Sequence, residues 1–427
     1  MIETLAAGLK PASVDFETLH KNYNPLLVLV KELIGVIPNC DPILEIWPPG
    51  FRTYNLLVPN LFNLPNTLFG KKSFKVAMGL AMYASSKAAS CAYCTAHTCS
   101  FALRRGISSQ ALSGIRTPKE QAVVALAEGL SRVPADLTLA ECHAMTEYFS
   151  PSEVEWIVLS ISMMGFLNKF MNVMGVELEQ DTINGTAALL SQTGWNPGKH
   201  VNGEYRTTKS TTHKPDNLLT YLRVIRQAPG AILLEKKWTR GVPDNSSSAG
   251  AYLQEHTGYS FPILKNVTPG RVVRAITTVL RDNLNKEITE VGLKTKMLAG
   301  YIFARVMLND TLTTEVRNMA VHFAQEFNDE TFKKLDEISQ IEIPTDITAS
   351  TKLMASLKQK LGISEKEAVA AILAIAAAPS PASVNDAVIE TVLTHLNPAS
   401  IVEIIVWLSV LQLLHRLGSY YALVKKF

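Results

Sequence analysis

The sequence predicts an all-α protein, and two observations support this fold class. Apolar residues recur at helical spacing through most of the chain, whereas sustained alternating runs, which would indicate strands, are scarce. Hydrophobic residues make up 47% of the 427 residues and charged residues only 19%. This balance is typical of a helical protein with extensive buried or oligomeric surface.

The predicted helices follow from the apolar spacing in chain order. One helix begins after Ser90, a good N-cap, and ends at Arg105 and Gly106, which suit a helix C-terminus. Ser150 is in the same way a good N-cap for a long apolar helix. The remaining helices are predicted over 74–89, 118–129, 152–173, 217–226, 271–283, 293–307, 313–326, 366–377 and 400–417.

An internal duplication is visible in the chain. Residues 119–127 are similar to 366–374, and without a gap 150–158 meets 397–405. We therefore predict two tandem repeats that form a pseudo-dimer. The predicted domains are 1–194, which carries the cysteine motif, an irregular connector over 195–261, and a second copy over 262–427 that lacks cysteines.

The second copy does not restore the motif in either of two possible placements. One placement lays Leu312, Glu315 and Asn318 on the two cysteines and the histidine of the first copy. The other gives Ile347, Ser350 and Leu353. We expect the second copy to be a scaffold without thiol chemistry.

The residues with the clearest chemistry are Cys91, Cys94 and His97, which recur every third position on the predicted helix. Two thiols at this spacing can form a disulfide, and an adjacent imidazole can take or return the proton that thiol chemistry requires. The helix N-terminus favours a thiolate. Cys40 is expected to be a loop thiol, and Cys99 and Cys142 structural residues.

The segment around the motif is basic. Residues 46–119 contain no Asp or Glu but nine Lys and Arg residues. A basic environment lowers thiol pKa values and attracts anions, while a solvated basic surface without a role in the site is the alternative.

The motif and its flanks resemble the active-site helix of the AhpD-like and carboxymuconolactone decarboxylase superfamily. The resemblance covers residues 71–106 and extends more weakly over 119–176. It implies an AhpD-like helical bundle. In the redox branch it implies that Cys94 attacks a peroxide or disulfide, that Cys91 resolves the product, and that His97 takes part in a proton relay.

Two features depart from this family pattern. Only two residues separate Cys94 from His97, where many members have three, and the preceding helix lacks the glutamate that completes the relay. The candidates to replace it are Glu120, Glu128 and Glu141.

The resulting hypothesis is a thiol-dependent oxidoreductase that reduces hydroperoxides or exchanges disulfides. A redox-active disulfide between Cys91 and Cys94 is its only expected cofactor, and its expected partners are a small hydroperoxide or disulfide and a thiol reductant. One alternative is a carboxymuconolactone-decarboxylase-like lyase for an anionic small molecule, with His97 as general acid or base. Another is a non-catalytic helical assembly module. A zinc site is disfavoured because no second ligand pair has zinc-finger spacing.

Composition and charge limit the expected binding partners and cellular location of the protein. A net charge of +3 is too weakly basic to indicate nucleic-acid binding. The N-terminus lacks a signal-peptide pattern, and the most apolar segment, 399–414, contains Glu403 and is short for a membrane span. Five cysteines in the first third do not form the pattern of a secreted disulfide scaffold. We expect a cytoplasmic protein, with no membrane partner, that can form homo-oligomers.

Overall fold

The computed structural model describes residues 2–201 and 216–424, and within them all regular structure is helical, as the sequence predicts. The first half contains α1 (Leu5–Leu9), α2 (Phe16–Ile34), α3 (Asp41–Leu44), α4 (Pro48–Leu61), α5 (Asn66–Phe69), α6 (Lys72–Ala88), α7 (Ala92–Arg104), α8 (Ser109–Leu112), α9 (Pro118–Ser131), α10 (Leu139–Thr146), α11 (Pro151–Met174) and α12 (Gln180–Leu190).

The remainder of the described chain has ten further α-helices. They are α13 (Leu218–Trp238), α14 (Ser246–Thr257), α15 (Gly270–Asn283), α16 (Leu293–Val306), α17 (Asp310–Phe323), α18 (Asp329–Ile338), α19 (Ile347–Leu361), α20 (Glu365–Ala377), α21 (Asp386–His395) and α22 (Pro398–Val424).

The centre of the molecule is the packing of α11 against α22. Both helices are apolar around most of their circumference, so they can be stable only inside a core. A Cβ atom at Gly165 would lie 3.0 Å from the Gln412 carbonyl oxygen and 3.0 Å from Arg416 Cδ, so glycine permits this close approach.

These two helices are also long and apolar enough to cross a membrane. However, 94% of the most apolar window of α11 and 89% of that of α22 are buried inside the protein. Their burial is that of core helices.

Three helix starts recur at one constant sequence separation. α9, α10 and α11 begin at Pro118, Leu139 and Pro151, and α20, α21 and α22 begin equally far downstream at Glu365, Asp386 and Pro398. The capping box of Thr117 and Glu120 on α9 has its counterpart in Ser364 and Glu367 on α20. This recurrence supports the predicted duplication. The pseudo-dimer relation of the two halves stays a prediction.

The register of the second copy differs from both sequence placements. Ser90 and Leu308, with φ of 50° and 54°, stand at the same point before α7 and α17, and the next residues, Cys91 and Asn309, are the N-caps. Asn309, Leu312 and Glu315 therefore correspond to Cys91, Cys94 and His97. The first placement was wrong by three residues because α6 has 17 residues and α16 only 14. The second placement was wrong because its residues begin α19.

The connector over 195–261 is not irregular where it is described. It contains α13 and α14, and α13, predicted only over 217–226, packs along α2. Residues 202–215 of this connector lie outside the described part of the chain.

Candidate active site

The cysteine pair lies at the first turn of α7. Cys91 is the N-cap, and its Sγ accepts a hydrogen bond from the Cys94 N–H at 3.4 Å. The expected N-cap, Ser90, instead adopts a left-handed conformation with φ of 50°, and the Cys91 N–H donates to the Ser86 carbonyl at 3.0 Å. The turn thus places the Cys91 sulfur at the N-terminus of the helix, in contact with the Cys94 N–H.

The two thiols face different surroundings. Cys91 is fully buried, whereas Cys94 and His97 line a pocket and are 4% and 9% exposed. Both cysteines are free thiols in this structure. A small molecule in the pocket would therefore meet the sulfur of Cys94 first.

The acidic partner of His97 is Glu179, which the sequence analysis missed. The His97 Nε2 and Glu179 Oε2 atoms are 2.7 Å apart. All three expected replacements were wrong. Glu120 and Glu141 are used in the capping boxes of α9 and α10, and Glu128 pairs with Arg132 at the surface.

Glu179 reaches His97 because the chain reverses after α11. Gly175, with φ of 66°, ends that helix in a left-handed turn, and the following segment passes along α7 before α12 begins. The available sequence signal was an acidic residue closely following a helix-ending glycine. That pattern is too common to identify a relay.

The second carboxylate oxygen of Glu179 also accepts hydrogen bonds. Its Oε1 accepts hydrogen bonds from the Tyr93 hydroxyl at 2.8 Å and from the Asn39 N–H at 2.7 Å. Burial alone would raise the pKa of Glu179, but His97, Asn39 and Tyr93 outweigh it and hold that pKa below its usual value. Glu179 is therefore a carboxylate that orients the imidazole.

The other ring nitrogen of His97, Nδ1, is buried and has no hydrogen-bond partner among the described residues. The Tyr93 ring packs against the imidazole with 4.5 Å between centroids. Burial also raises the pKa of Tyr93 well above its usual range, so its hydroxyl stays a donor to Glu179. With Nε2 fixed by Glu179, Nδ1 is the atom that can exchange a proton.

The pocket beside Cys94 is an apolar cavity of about 80 Å³. No Lys or Arg from the described parts of the chain lines it. Its walls come from α2, α4, α6, α7 and α11 and include Val30, Leu33, Ile34, Tyr54, Val58, Phe62, Met82, Phe101, Met164, Leu167 and Met171. Such a lining suits an apolar molecule better than an anionic one.

The basic segment does not provide the cations of the site. Arg52 pairs with Asp282, and Arg104 and Arg105 both pair with Asp216. The cations whose charge acts on the thiols come from elsewhere, namely Lys169, Lys199 and Arg416. The expectation that residues 46–119 surround the thiols with positive charge was therefore wrong, because the cations that act on the thiols lie outside this segment.

The acidity of Cys94 reflects opposing effects. Burial raises the pKa of its thiol well above the usual range, the neighbouring Cys91 raises it further, and Arg416 lowers it. A proton acceptor close to Cys94 is therefore needed for this thiol to react as a thiolate near neutral pH.

The three cysteines outside the pair are all buried. Cys99 and Cys142 are buried in the core, as expected of structural residues. Cys40 lies in the turn between α2 and α3, as predicted of a loop thiol, and it is fully buried. Burial raises the pKa of the Cys40 thiol well above its usual range. Among the described residues, no group of three or more His, Cys, Asp or Glu side chains is arranged to hold a metal ion.

Comparisons with known proteins add little. No family model and no curated protein matches the chain. The chain is similar to a solved structure described as "Crystal Structure of the Debrominase Bmp8 (Apo)", with 20% sequence identity and a TM-score of 0.35. The match covers 42% of this chain and 95% of that chain. At so low a TM-score the similarity carries no argument about this protein.

Proposed function

We propose that this protein is a thiol-dependent oxidoreductase of the AhpD-like type, which reduces a small apolar hydroperoxide or an apolar disulfide. The observation that carries the proposal is the placement of Cys94 and His97 on one wall of an apolar pocket, with Cys91 behind Cys94 and Glu179 behind His97.

The first step uses the imidazole. His97 takes the Cys94 thiol proton at Nδ1 while Glu179 stabilises the resulting imidazolium through Nε2. The Cys94 thiolate then attacks the distal oxygen of the hydroperoxide and the O–O bond breaks. The leaving alkoxide takes the proton from His97, which gives an alcohol and a sulfenic acid on Cys94.

The second step uses the buried thiol. Cys91 attacks the Cys94 sulfur, an S–S bond forms, and the hydroxyl of the sulfenic acid leaves as water with the Cys91 proton. Two electrons have then passed from the thiol pair to the peroxide. A dithiol reductant restores both thiols by disulfide exchange.

The test is a stoichiometric oxidation of the reduced protein by tert-butyl hydroperoxide. We expect rapid loss of two thiols, one equivalent of tert-butanol, and a Cys91–Cys94 disulfide in peptide maps. C94S should lose this reaction by at least about 10³-fold, while C99A, on the same helix, should retain it. A Cys94–Cys99 disulfide would reject the assignment of the thiol pair, and the absence of any reaction would reject a hydroperoxide as the substrate.

A second candidate is a non-redox enzyme that uses His97 and Glu179 as a general acid–base pair, as in the lyase alternative. The 2.7 Å hydrogen bond between them favours it, since this pair needs no thiol. The apolar lining of the pocket argues against the anionic substrate expected for such a lyase. A C91S/C94S variant separates the candidates, because only the non-redox enzyme would stay active.

A further inference from the structure

The last helix carries a buried arginine that has no acidic partner. Arg416 on α22 is 1% exposed, and its Nη1 donates to Ser85 Oγ at 2.7 Å and to the Ile161 carbonyl at 2.8 Å. No carboxylate within the described residues forms an ion pair with it, and its Nε is buried without a hydrogen-bond partner. A buried charge of this kind is costly unless another negative group balances it.

The contrast with Lys169 shows how unusual this arrangement is. Lys169 on α11 and Arg416 on α22 are the same distance apart in sequence as the starts of their helices. The Lys169 ammonium donates to the carbonyls of Ala377, Ala378 and Pro379 at 2.6, 2.9 and 2.8 Å, at the negative end of α20. The lysine therefore has a complete set of acceptors, and the arginine does not.

The surroundings of Arg416 lead to the cysteine pair. The guanidinium binds Ser85, and the next residue, Ser86, accepts the Cys91 N–H through its carbonyl at 3.0 Å. Burial lowers the pKa of Arg416 to about 9, while the negative charges of Cys94 and Cys91 raise it, so the group is still charged at neutral pH.

We propose that Arg416 is a positioning residue of the thiol site, and that its guanidinium is the counter-charge which stabilises a thiolate of the Cys91–Cys94 pair. The proposal rests on the thiol chemistry proposed above, but it concerns the ionisation of the thiols and not the substrate. The second half of the chain then contributes directly to the chemistry of the first, although it has no cysteine of its own.

Other charged and titratable groups face the same thiols and define what the test must separate. Lys169 and Lys199 interact with Cys91, Cys40 interacts with Cys94, and His97 follows Cys94 on α7. His415, beside Arg416, is neutral because burial lowers its pKa to about 3. These groups are unchanged when Arg416 alone is replaced.

The experiment measures the rate of Cys94 alkylation by iodoacetamide against pH, with peptide mass spectrometry, in the full chain. R416Q keeps a polar side chain with a hydrogen-bond donor but removes the charge. We expect R416Q to raise the midpoint of the curve of alkylation rate against pH by at least about 1 pH unit. R416K keeps a positive charge, so its midpoint should lie close to that of the wild-type protein. Q412L, a neutral change one turn away on α22, should leave the midpoint unchanged.

The outcomes are distinguishable from those of the proposed function, because alkylation needs no peroxide. An unchanged midpoint in folded R416Q overturns the role of Arg416 even if the protein reduces hydroperoxides. A shifted midpoint supports the role of Arg416 even if the protein does not reduce hydroperoxides.

A second measurement covers the case in which R416Q does not fold. In wild-type protein labelled with ¹⁵N-arginine, the Arg416 Nε–H resonance should titrate with the midpoint of Cys94 alkylation, and this titration should vanish in C91S/C94S. A resonance that is insensitive to pH in both proteins would overturn the proposal.

Discussion

The starts of α7 and α17 have the same backbone design but different side chains. Each helix follows a residue with positive φ, and each N-cap side chain, Cys91 or Asn309, accepts the N–H three residues on. A pocket lies beside each start, and that of α17 is lined by Asn309, Leu312 and Glu315. The comparison shows that this backbone provides a pocket, whereas the chemistry depends on the residues placed on it.

The acidic residues near the two helix starts also differ, in their hydrogen bonds and in their pKa shifts. Glu179 is held by three partners and carries a negative charge beside His97. Glu315 has one hydrogen bond, from the Tyr259 hydroxyl at 2.8 Å, and burial raises its pKa. Glu179 contacts His97 because the chain turns back along α7 after α11. In the second half α22 continues as a helix through Val424.

The largest expected effect comes from separating the two halves. Residues 1–195 contain Cys91, Cys94, His97 and Glu179, but the fragment lacks α22, which covers α11 in the intact protein. We expect this fragment to aggregate or to lack fixed tertiary structure, because its longest apolar helix would be exposed. Size-exclusion chromatography and near-UV circular dichroism check this. A soluble monomer with full activity would show that the second half is dispensable.

The next effect concerns the proton relay. H97Q should slow hydroperoxide reduction by roughly 10²-fold, the range of general acid–base loss, without loss of the fold. H143Q, at an exposed position of α10, is the matched control. Stopped-flow oxidation rates check this, and a rate within about twofold of wild type would remove His97 from the mechanism.

A smaller effect is expected for the group that orients His97. E179Q keeps a hydrogen-bond acceptor but loses the charge that stabilises the imidazolium, so we expect a loss of roughly 10-fold, less than for H97Q. E177Q, two residues earlier and exposed, is its control. Equal rates for E179Q and E177Q would show that the Glu179 carboxylate has no role in the relay.

The buried Lys169, the counterpart of Arg416 in the first half, predicts a pH dependence of the unfolding free energy. Burial lowers the pKa of Lys169 from 10.5 to about 7. Between these values the unfolded chain binds a proton that the folded chain does not, so stability rises with pH. The unfolding free energy of wild type relative to K169M should increase by roughly 1 kcal/mol per pH unit in this window. Urea unfolding at pH 7 and pH 9 measures it, with K87M as an exposed control. Parallel pH curves for wild type and K169M would contradict it.

The smallest effect is expected from transferring the motif. N309C/L312C/E315H places both thiols and the histidine on α17, yet no counterpart of Glu179 follows α22 in the described chain. We expect no measurable gain in hydroperoxide reduction when this variant is made in a C91S/C94S background. Recovery to within about 10-fold of wild type would show that the three residues suffice.

Local patterns predicted ten of the 22 α-helices in the described chain and missed the other twelve, among them α2, α4 and α19. The apolar spacing predicted α9, α15, α16 and α20 to within one or two residues at most ends. The same patterns located Cys91, Cys94 and His97 on one helix. They misplaced α17 by three residues although its N-cap, Asn309, is a favourable start signal, because a repeat alignment cannot detect the shortening of α16.

The sequence by itself determined the all-α class, ten of the described helices and the spacing that brings two thiols and an imidazole together, since all of these depend on contacts within a few residues. Only the tertiary structure decided which groups complete the site. Glu179 and Arg416 are far from Cys94 in sequence, and they reach its surroundings through the turn at Gly175 and the packing of α22 on α11. Ionisation of a buried thiol depends on the charges around it in space, and residue spacing along the chain does not specify them.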